Sequence, residues 1–155
     1  MTAMEILLWR HADAFDARPG QDDSQRALTP KGLEQARRMA RWLNSVLPAD
    51  TRVIASPAQR TQQTAQALGR EVQTVAALAP GASVQAVLQA ADWPNAKVPV
   101  LVVGHQPTMG LVASWLMTGQ QQHWWVQKAG VWWLRSERDD RATLLAMRTP
   151  EHEPR

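Results

Sequence analysis

Three strand-like segments, each followed by a turn and a helix-like segment, constrain the fold of this chain most strongly. They span residues 6–9, 51–55 and 98–103. The first and the third are apolar runs, which are typical of strands that are covered on both faces. Strands that alternate with helices favour a largely parallel sheet between two helical layers. The sequence therefore predicts the α/β class, as a three-layer α/β/α sandwich with a mostly parallel central sheet.

Proline and small polar residues mark the predicted helix ends. Thr29 followed by Pro30 is typical of a helix N-cap and a first helical residue. Ser56 followed by Pro57 predicts the start of a second helix, which Gly69 would close. The pattern also predicts a helix after Ser83 that ends before Pro94, and an antiparallel pair of strands within residues 131–137 and 142–148.

Composition limits the classes of function. The 155 residues suit a single domain, which we place at 1–150 with a flexible tail at 151–155. The formal net charge is +3 and acidic residues lie among the basic ones, so a nucleic-acid partner is not expected. The chain has no cysteine, which excludes disulfides and thiolate chemistry. The N-terminus has no basic segment, and its apolar run is too short for a signal peptide or a membrane span, so we expect a cytoplasmic protein.

Basic side chains follow the predicted strands. Arg10 and His11 come directly after the first strand-like segment, Arg60 lies in the first turn after the second, and His105 follows the third. Ligands of such sheets bind at the carboxyl ends of the strands. If the three strands are neighbours, these four side chains converge at one edge of the sheet.

Two guanidinium groups and two imidazoles with no paired carboxylate describe an anion site, and a phosphoryl group fits the planar fork of arginine. Nearby positive charge disfavours the imidazolium form of His11, which keeps the ring neutral and nucleophilic. His11 is then able to take a phosphoryl group that water later removes. Arg10, Arg60 and His105 would stabilise the charge on the phosphoryl oxygens. We expect no metal and no other cofactor, because the guanidinium groups supply positive charge and the histidines lack metal-site spacing.

Four segments together resemble the histidine phosphatase superfamily, branch 1, also called phosphoglycerate-mutase-like. They are "LLWRHAD", "LTPKGLEQA", "ASPAQRTQQTA" and "VLVVGHQP". The resemblance implies that His11 is the phosphoryl acceptor and that Arg10, Arg60 and His105 form the phosphate pocket. The small size is similar to the SixA-like phosphohistidine phosphatases, which lack a cap domain and act on histidine in phosphotransfer proteins. In that group Arg26 would be an additional phosphate or partner contact, and the Ser56 hydroxyl would support the phosphate loop.

The chain departs from the family pattern at two points. The glycine of the Arg-His-Gly signature is Ala12, which requires a negative φ at that residue. The middle region, "VAALAPGASVQAV", has no carboxylate to act as the general acid that most members carry. Alkyl phosphates need such an acid because their alkoxide leaving groups need a proton, whereas the imidazole of phosphohistidine leaves more easily. The second departure therefore favours the SixA-like group.

Three functions remain open from the sequence. The first is a phosphatase for phosphohistidine on a protein. The second is a phosphatase for a small acyl or sugar phosphate, which a walled pocket would favour. The third is a phosphate- or phosphoprotein-binding module without turnover, an option that the intact Arg10, His11, Arg60 and His105 argue against.

Other conspicuous residues have structural interpretations. The tryptophan pairs at 124–125 and 132–133 are predicted to pack in the core and at the sheet edge. His123 and His152 are expected at the surface, and Asp13 is interpreted as a loop carboxylate. The oligomeric state is not predicted.

Overall fold

One six-stranded sheet organises the computed structural model, which describes residues 3–154. Met1, Thr2 and Arg155 lie outside the described residues, and with them the ends of the predicted domain and tail. The strands are β1 (Glu5–Arg10), β2 (Arg52–Ala55), β3 (Gln73–Thr74), β4 (Val100–Gly104), β5 (Val131–Ser136) and β6 (Ala142–Arg148).

The order across the sheet is β3-β2-β4-β1-β5-β6. The four strands from β3 to β1 pair in parallel, and β5 and β6 pair antiparallel at the other side. This arrangement confirms the predicted mostly parallel sheet and the antiparallel pair near the end of the chain. The strands predicted from the three strand-like segments, β1, β2 and β4, are direct neighbours.

Helices cover both faces of the sheet, which confirms the three-layer prediction. The helices are α1 (Pro30–Val46), α2 (Gln59–Gln66), α3 (Val84–Ala90) and α4 (Thr108–Thr118). On one face, α1 and α2 pack on Leu7, Trp9 and Val103 through residues such as Met39 and Leu43. On the other face, α3 and α4 pack on the alternate strand positions, such as Ile6, Leu8 and Val102.

The predicted N-cap of α1 is confirmed, since Thr29 caps that helix. The predicted N-cap Ser56 is wrong. The α2 helix begins at Gln59, with Ala58 as its N-cap, and it ends three residues before Gly69. The backbone N–H of Ser56 still donates to β4, so Ser56 belongs to the sheet edge. Ser56 is therefore not the N-cap, although its Oγ accepts a hydrogen bond from the N–H of Ala58 at 3.2 Å.

The residues after β6 make defined contacts. Pro150–His152 forms a 3₁₀ turn, and Glu153 is 8% exposed. Its Oε2 accepts a hydrogen bond from Nε of Arg148 at 2.8 Å. This partly buried ion pair connects the segment to β6. The single domain at 1–150 and the flexible tail at 151–155 stay predictions.

Candidate active site

The strand register brings the predicted site residues together. Arg10 pairs with Gly104 in the parallel β1–β4 ladder, so His11 and His105 emerge side by side. Their ring centroids are 5.4 Å apart. Ser56 follows β2 on the other side of β4 and therefore lies beside His105. The carboxyl ends of three neighbouring strands thus form one site, as the rule for such sheets predicts.

The His11 ring has a defined tautomer. Nδ1 lies 2.7 Å from the carbonyl oxygen of Ala12, and a carbonyl only accepts, so Nδ1 carries the proton. The second nitrogen of the neutral ring, Nε2, then keeps its lone pair. Burial is the main cause that lowers the pKa of His11 to about 4, and the charges of Arg60 and Arg10 make smaller contributions in the same direction. The sequence argument predicted a neutral His11 from the arginine charges, but burial is the larger cause.

Ser56 orients the ring of His105 through a hydrogen bond. Its Oγ lies 2.8 Å from Nε2 of His105 and already accepts from the N–H of Ala58. Ser56 is fully buried, so its hydroxyl proton needs a partner, and Nε2 is the acceptor at hand. His105 then carries its own proton on Nδ1, where it is a donor. Burial is the main cause that lowers the pKa of His105 to about 3, and His11 and Arg60 contribute in the same direction.

The two arginines are held by different loops. Nη1 of Arg10 donates to the carbonyl of Val126 at 3.0 Å, and its guanidinium lies 4.8 Å from the ring centroid of Trp125. Arg60 is 4% exposed and donates from Nη1 and Nη2 to the carbonyl and the carboxylate of Asp23, at 2.8 and 2.9 Å. Each guanidinium thus keeps part of its donor set for a ligand.

Hydrogen-bond donors without partners concentrate in this site. Within residues 3–154, five buried side-chain nitrogen or oxygen atoms have no hydrogen-bond partner. Three of them are Nε of Arg10, Nε of Arg60 and Nδ1 of His105. Buried donors are normally paired. Three such donors on converging residues fit a tetrahedral oxyanion, which accepts several hydrogen bonds at once.

Asp23 is the site residue that the sequence argument missed. One carboxylate oxygen accepts from Arg60, and the other accepts from Nη1 of Arg26 at 3.2 Å. The search for a carboxylate covered the middle region of the chain, whereas Asp23 comes from the loop after β1. The segment "DDSQR" contains both Asp23 and Arg26, but nothing in its spacing indicates contact with Arg60, because that contact bridges 37 positions.

The remaining predicted residues have mixed outcomes. Arg26 belongs to the edge of the site, where its Nε donates to the carbonyl of Phe15 at 2.6 Å. Asp13 is a loop carboxylate that accepts from Lys128 at 2.8 Å. His123 and His152 are exposed, as predicted.

Ala12 is accommodated at the glycine position of the signature. It is fully buried, and it does not belong to the residues with positive φ. Its N–H donates to Oγ1 of Thr64 at 3.1 Å. The methyl group is therefore compatible with the backbone that the site requires.

The tryptophan pairs divide between packing and the site. Trp132 packs on Trp124, and Trp133 packs on Trp42, with ring centroids 6.0 and 6.1 Å apart. Trp125 is 66% exposed, in contrast to the packing role predicted for its pair. Its ring lies 4.8 Å from the guanidinium group of Arg10 instead of packing in the core.

The described residues hold neither a metal-binding cluster nor a membrane-spanning helix. Residues 3–154 contain no group of three or more histidine, aspartate or glutamate residues placed to hold a metal ion. In the same range, none of the helices has the length and the apolar character to cross a membrane.

Comparison with known proteins agrees with the geometry. The family model for the histidine phosphatase superfamily, branch 1, matches residues 6–81, which include His11 and Arg60. The phosphohistidine phosphatase SixA of Escherichia coli strain K12 is 32% identical over 126 residues, 76% of each chain.

Solved structures show the same architecture. A structure of the protein histidine phosphatase SixA complexed with tungstate has a TM-score of 0.77 and 27% identity, covering 96% of this chain and 99% of the other. A phosphoserine phosphatase from Entamoeba histolytica, solved in complex with 3-phosphoglyceric acid, has a TM-score of 0.71 over 96% of this chain and 98% of the other. At 14% identity, that likeness concerns the fold alone. From its fold, its converging strand-end residues and these matches, the chain belongs to branch 1 of the histidine phosphatase superfamily and is a small, SixA-like member.

Proposed function

We propose that this protein removes phosphate from phosphohistidine on a protein substrate, with His11 as the nucleophile. The observation that carries the proposal is the Nε2 lone pair of His11 beside three unpartnered donors, on Arg10, Arg60 and His105. A neutral imidazole is a nucleophile, and the donors match the oxygens of a phosphoryl group. The relative named phosphohistidine phosphatase supports the same assignment.

The reaction takes two displacements at phosphorus. In the first, Nε2 of His11 forms a bond to phosphorus while the bond from phosphorus to the substrate imidazole breaks, and the leaving nitrogen takes the electron pair. In the second, a water oxygen attacks phosphorus, and the bond to Nε2 breaks and returns its electron pair to His11. The water protons remain with inorganic phosphate and the solvent. Arg10, Arg60 and His105 stabilise the phosphoryl oxygens in both steps.

The state of Asp23 favours phosphohistidine as the substrate. Its hydrogen bond with Arg60 holds the pKa of the Asp23 carboxyl below its usual range, so the group is ionised at neutral pH and has no proton to give. An alkoxide leaving group needs a proton from the enzyme, whereas a phosphohistidine that is protonated on its other ring nitrogen leaves as neutral imidazole. This site is therefore suited to a leaving group that brings its own proton.

The rim of the site favours a protein as the carrier of that phosphohistidine. Trp125 and Phe15 are 66% and 54% exposed, and they lie next to Arg10 and Arg26 respectively. Exposed aromatic side chains near a charged site are typical of protein contact surfaces. A histidine phosphotransfer domain is the partner we propose, with Arg26 as a contact to the partner or its phosphate.

We further infer that no metal or cofactor takes part, because the guanidinium groups of Arg10 and Arg60 supply the positive charge that phosphoryl transfer needs. Activity that is unchanged by a chelator and unchanged by added divalent cations is the expected result. A dependence on either would contradict this inference. The cytoplasmic location stays a prediction.

The test is phosphate release from a phosphotransfer domain phosphorylated on histidine. We expect rapid release by the wild type, a loss of at least about a thousandfold for His11→Ala, and wild-type release for His123→Ala, which removes an exposed histidine. Acetyl phosphate and a sugar 1-phosphate serve as small substrates in the same assay. Faster turnover of either would indicate a small-molecule phosphatase, and tight binding of the phosphorylated domain without release would indicate a binding module.

A further inference from the structure

Arg60 is a buried cation whose direction is set by one residue. Its guanidinium donates from Nη1 to the backbone carbonyl of Asp23 and from Nη2 to the Asp23 carboxylate. Two acceptors on one residue define both the position and the plane of a guanidinium group. Three of its five N–H donors remain, and one of them, on Nε, is buried and has no partner.

Asp23 also connects Arg60 to Arg26. Its Oδ1 accepts from Nη1 of Arg26, while Oδ2 accepts from Arg60. The turn that carries Asp23 is fixed locally, because the carboxylate of Asp22 accepts from the N–H of Ser24 at 3.1 Å. One carboxylate of the loop after β1 therefore contacts both arginines.

We propose that Asp23 is a positioning residue that fixes the guanidinium of Arg60 and couples it to Arg26, so that both arginines face the phosphoryl group in one orientation. Asp23 acts through Arg60 and does not touch the substrate. The inference rests on the proposed function for its activity test, but its binding and spectroscopic tests do not depend on which phosphate compound is the substrate.

The Asn substitution separates orientation from charge. The amide of Asp23→Asn has one acceptor oxygen, so it is able to satisfy only one of the two arginines, while its NH₂ group faces the other donor. Misplacement of a catalytic group by about 1 Å costs on the order of 100-fold in rate. At the same time, the variant removes a negative charge next to an anion site, which favours anion binding and offsets part of the lost geometry.

The experiment compares Asp23→Asn with Asp22→Asn, which removes the adjacent charge but keeps a side-chain oxygen to accept from the N–H of Ser24. We expect kcat for the phosphorylated domain to fall by about 10- to 100-fold in Asp23→Asn and by less than about twofold in Asp22→Asn. Tungstate, the oxyanion bound in the related SixA structure, is expected to bind Asp23→Asn within about fivefold of its wild-type Kd. The ¹⁵N signals of the Arg60 guanidinium should be separate in the wild type, where rotation is hindered, and averaged in the variant.

A double-mutant cycle tests whether Asp23 acts through Arg60. In an Arg60→Lys background, Asp23→Asn should cause little additional loss of kcat, because the fork that Asp23 orients is gone. An equal loss in both backgrounds would overturn the proposal, as would unchanged kcat in Asp23→Asn. A parallel tenfold loss of kcat and of tungstate affinity would also overturn it, since it would indicate collapse of the pocket. If the wild type does not act on the phosphorylated domain, the proposed function fails, while the guanidinium signals and tungstate binding still decide the role of Asp23.

Discussion

The strand ends and the loops of this protein contribute to the site in different ways. His11 and His105 come directly after adjacent central strands, and their positions are set by a ladder of backbone hydrogen bonds between fully buried residues. Asp23, Val126 and Trp125 come from two loops, and they contact the guanidinium groups rather than the histidines. The strand ends thus fix the two histidines, and the loops orient the two guanidinium groups. Removing a histidine at a strand end should therefore cost more than changing a loop residue that contacts a guanidinium group.

After His11→Ala, the largest effect is expected at the other strand-end histidine. His105→Ala removes the Nδ1 donor and should lower kcat by about 100- to 1,000-fold, the usual cost of one donor to the oxygens of a transition state. The measurement is the steady-state rate of phosphate release, with His123→Ala as a surface control. A loss below tenfold would contradict the assignment of His105 to the phosphate pocket.

The next effect is expected on stability, at Gly32, where α1 packs against the loop after β1. A Cβ atom on Gly32, in the first turn of α1, would overlap the backbone carbonyl of Asp13. Gly32→Ala should shift the loop and lower the free energy of unfolding by about 1–3 kcal/mol, a typical cost of overpacking. Chemical denaturation measures this change, with Leu33→Ala as the control because Leu33 is 50% exposed. Equal stability of the two variants would show that the loop adapts.

The buried histidines predict the pH dependence of stability. Burial lowers the pKa of His11 to about 4 and that of His105 to about 3, below the ordinary value of 6.5. Between pH 6.5 and pH 4 the unfolded chain binds more protons, so the free energy of unfolding should fall as the pH falls through this window. From pH 7 to pH 5 each of the two histidines should contribute a fall on the order of 2 kcal/mol.

Denaturation curves at the two pH values test this expectation. The variant His11→Gln should lose part of the dependence, since it removes one of the two groups. A wild-type stability that is the same at pH 7 and pH 5 would mean that neither histidine is held in its neutral form by folding.

A smaller effect is expected when the orientation of His105 changes. Ser56→Ala removes the hydroxyl proton that Nε2 accepts, so the neutral ring is free to place its proton on either nitrogen. We expect kcat to fall by about tenfold, the effect of losing one net hydrogen bond. The ¹⁵N shifts of His105 should report mainly protonated Nδ1 in the wild type and a mixture in the variant. Protonated Nε2 in the wild type would contradict the tautomer derived from the geometry.

The smallest effect is expected at the exposed loop residue Trp125. An exposed cation–π contact contributes about 0.5–1 kcal/mol, so Trp125→Ala should lower kcat/KM by about two- to fivefold through Arg10. Trp115→Ala, at a partly exposed tryptophan on α4, is the control. A loss of kcat/KM above 100-fold would mean that this loop residue matters as much as the strand-end histidines, and it would contradict the difference between strand ends and loops.

Much of the fold was accessible from local pattern. Strand-like segments predicted β1, β2 and β4, and Thr29 with Pro30 predicted the start of α1, because burial on both faces and helix capping depend on neighbouring residues in the chain. The same reasoning failed where a side chain had a distant partner. Ser56 resembled an N-cap, but its hydroxyl group forms a hydrogen bond with His105.

The sequence by itself placed Arg10, His11, Arg60 and His105 just after predicted strands, and such residues meet at one edge of the sheet if the strands are neighbours. Only the tertiary structure decided that the strands are neighbours and how these groups are held. The Nδ1 proton of His105, the plane of Arg60 set by Asp23 and the contact of Trp125 with Arg10 all depend on contacts outside the local sequence pattern. Hydrogen-bond direction and burial are properties of the packed environment, and no local spacing encodes them.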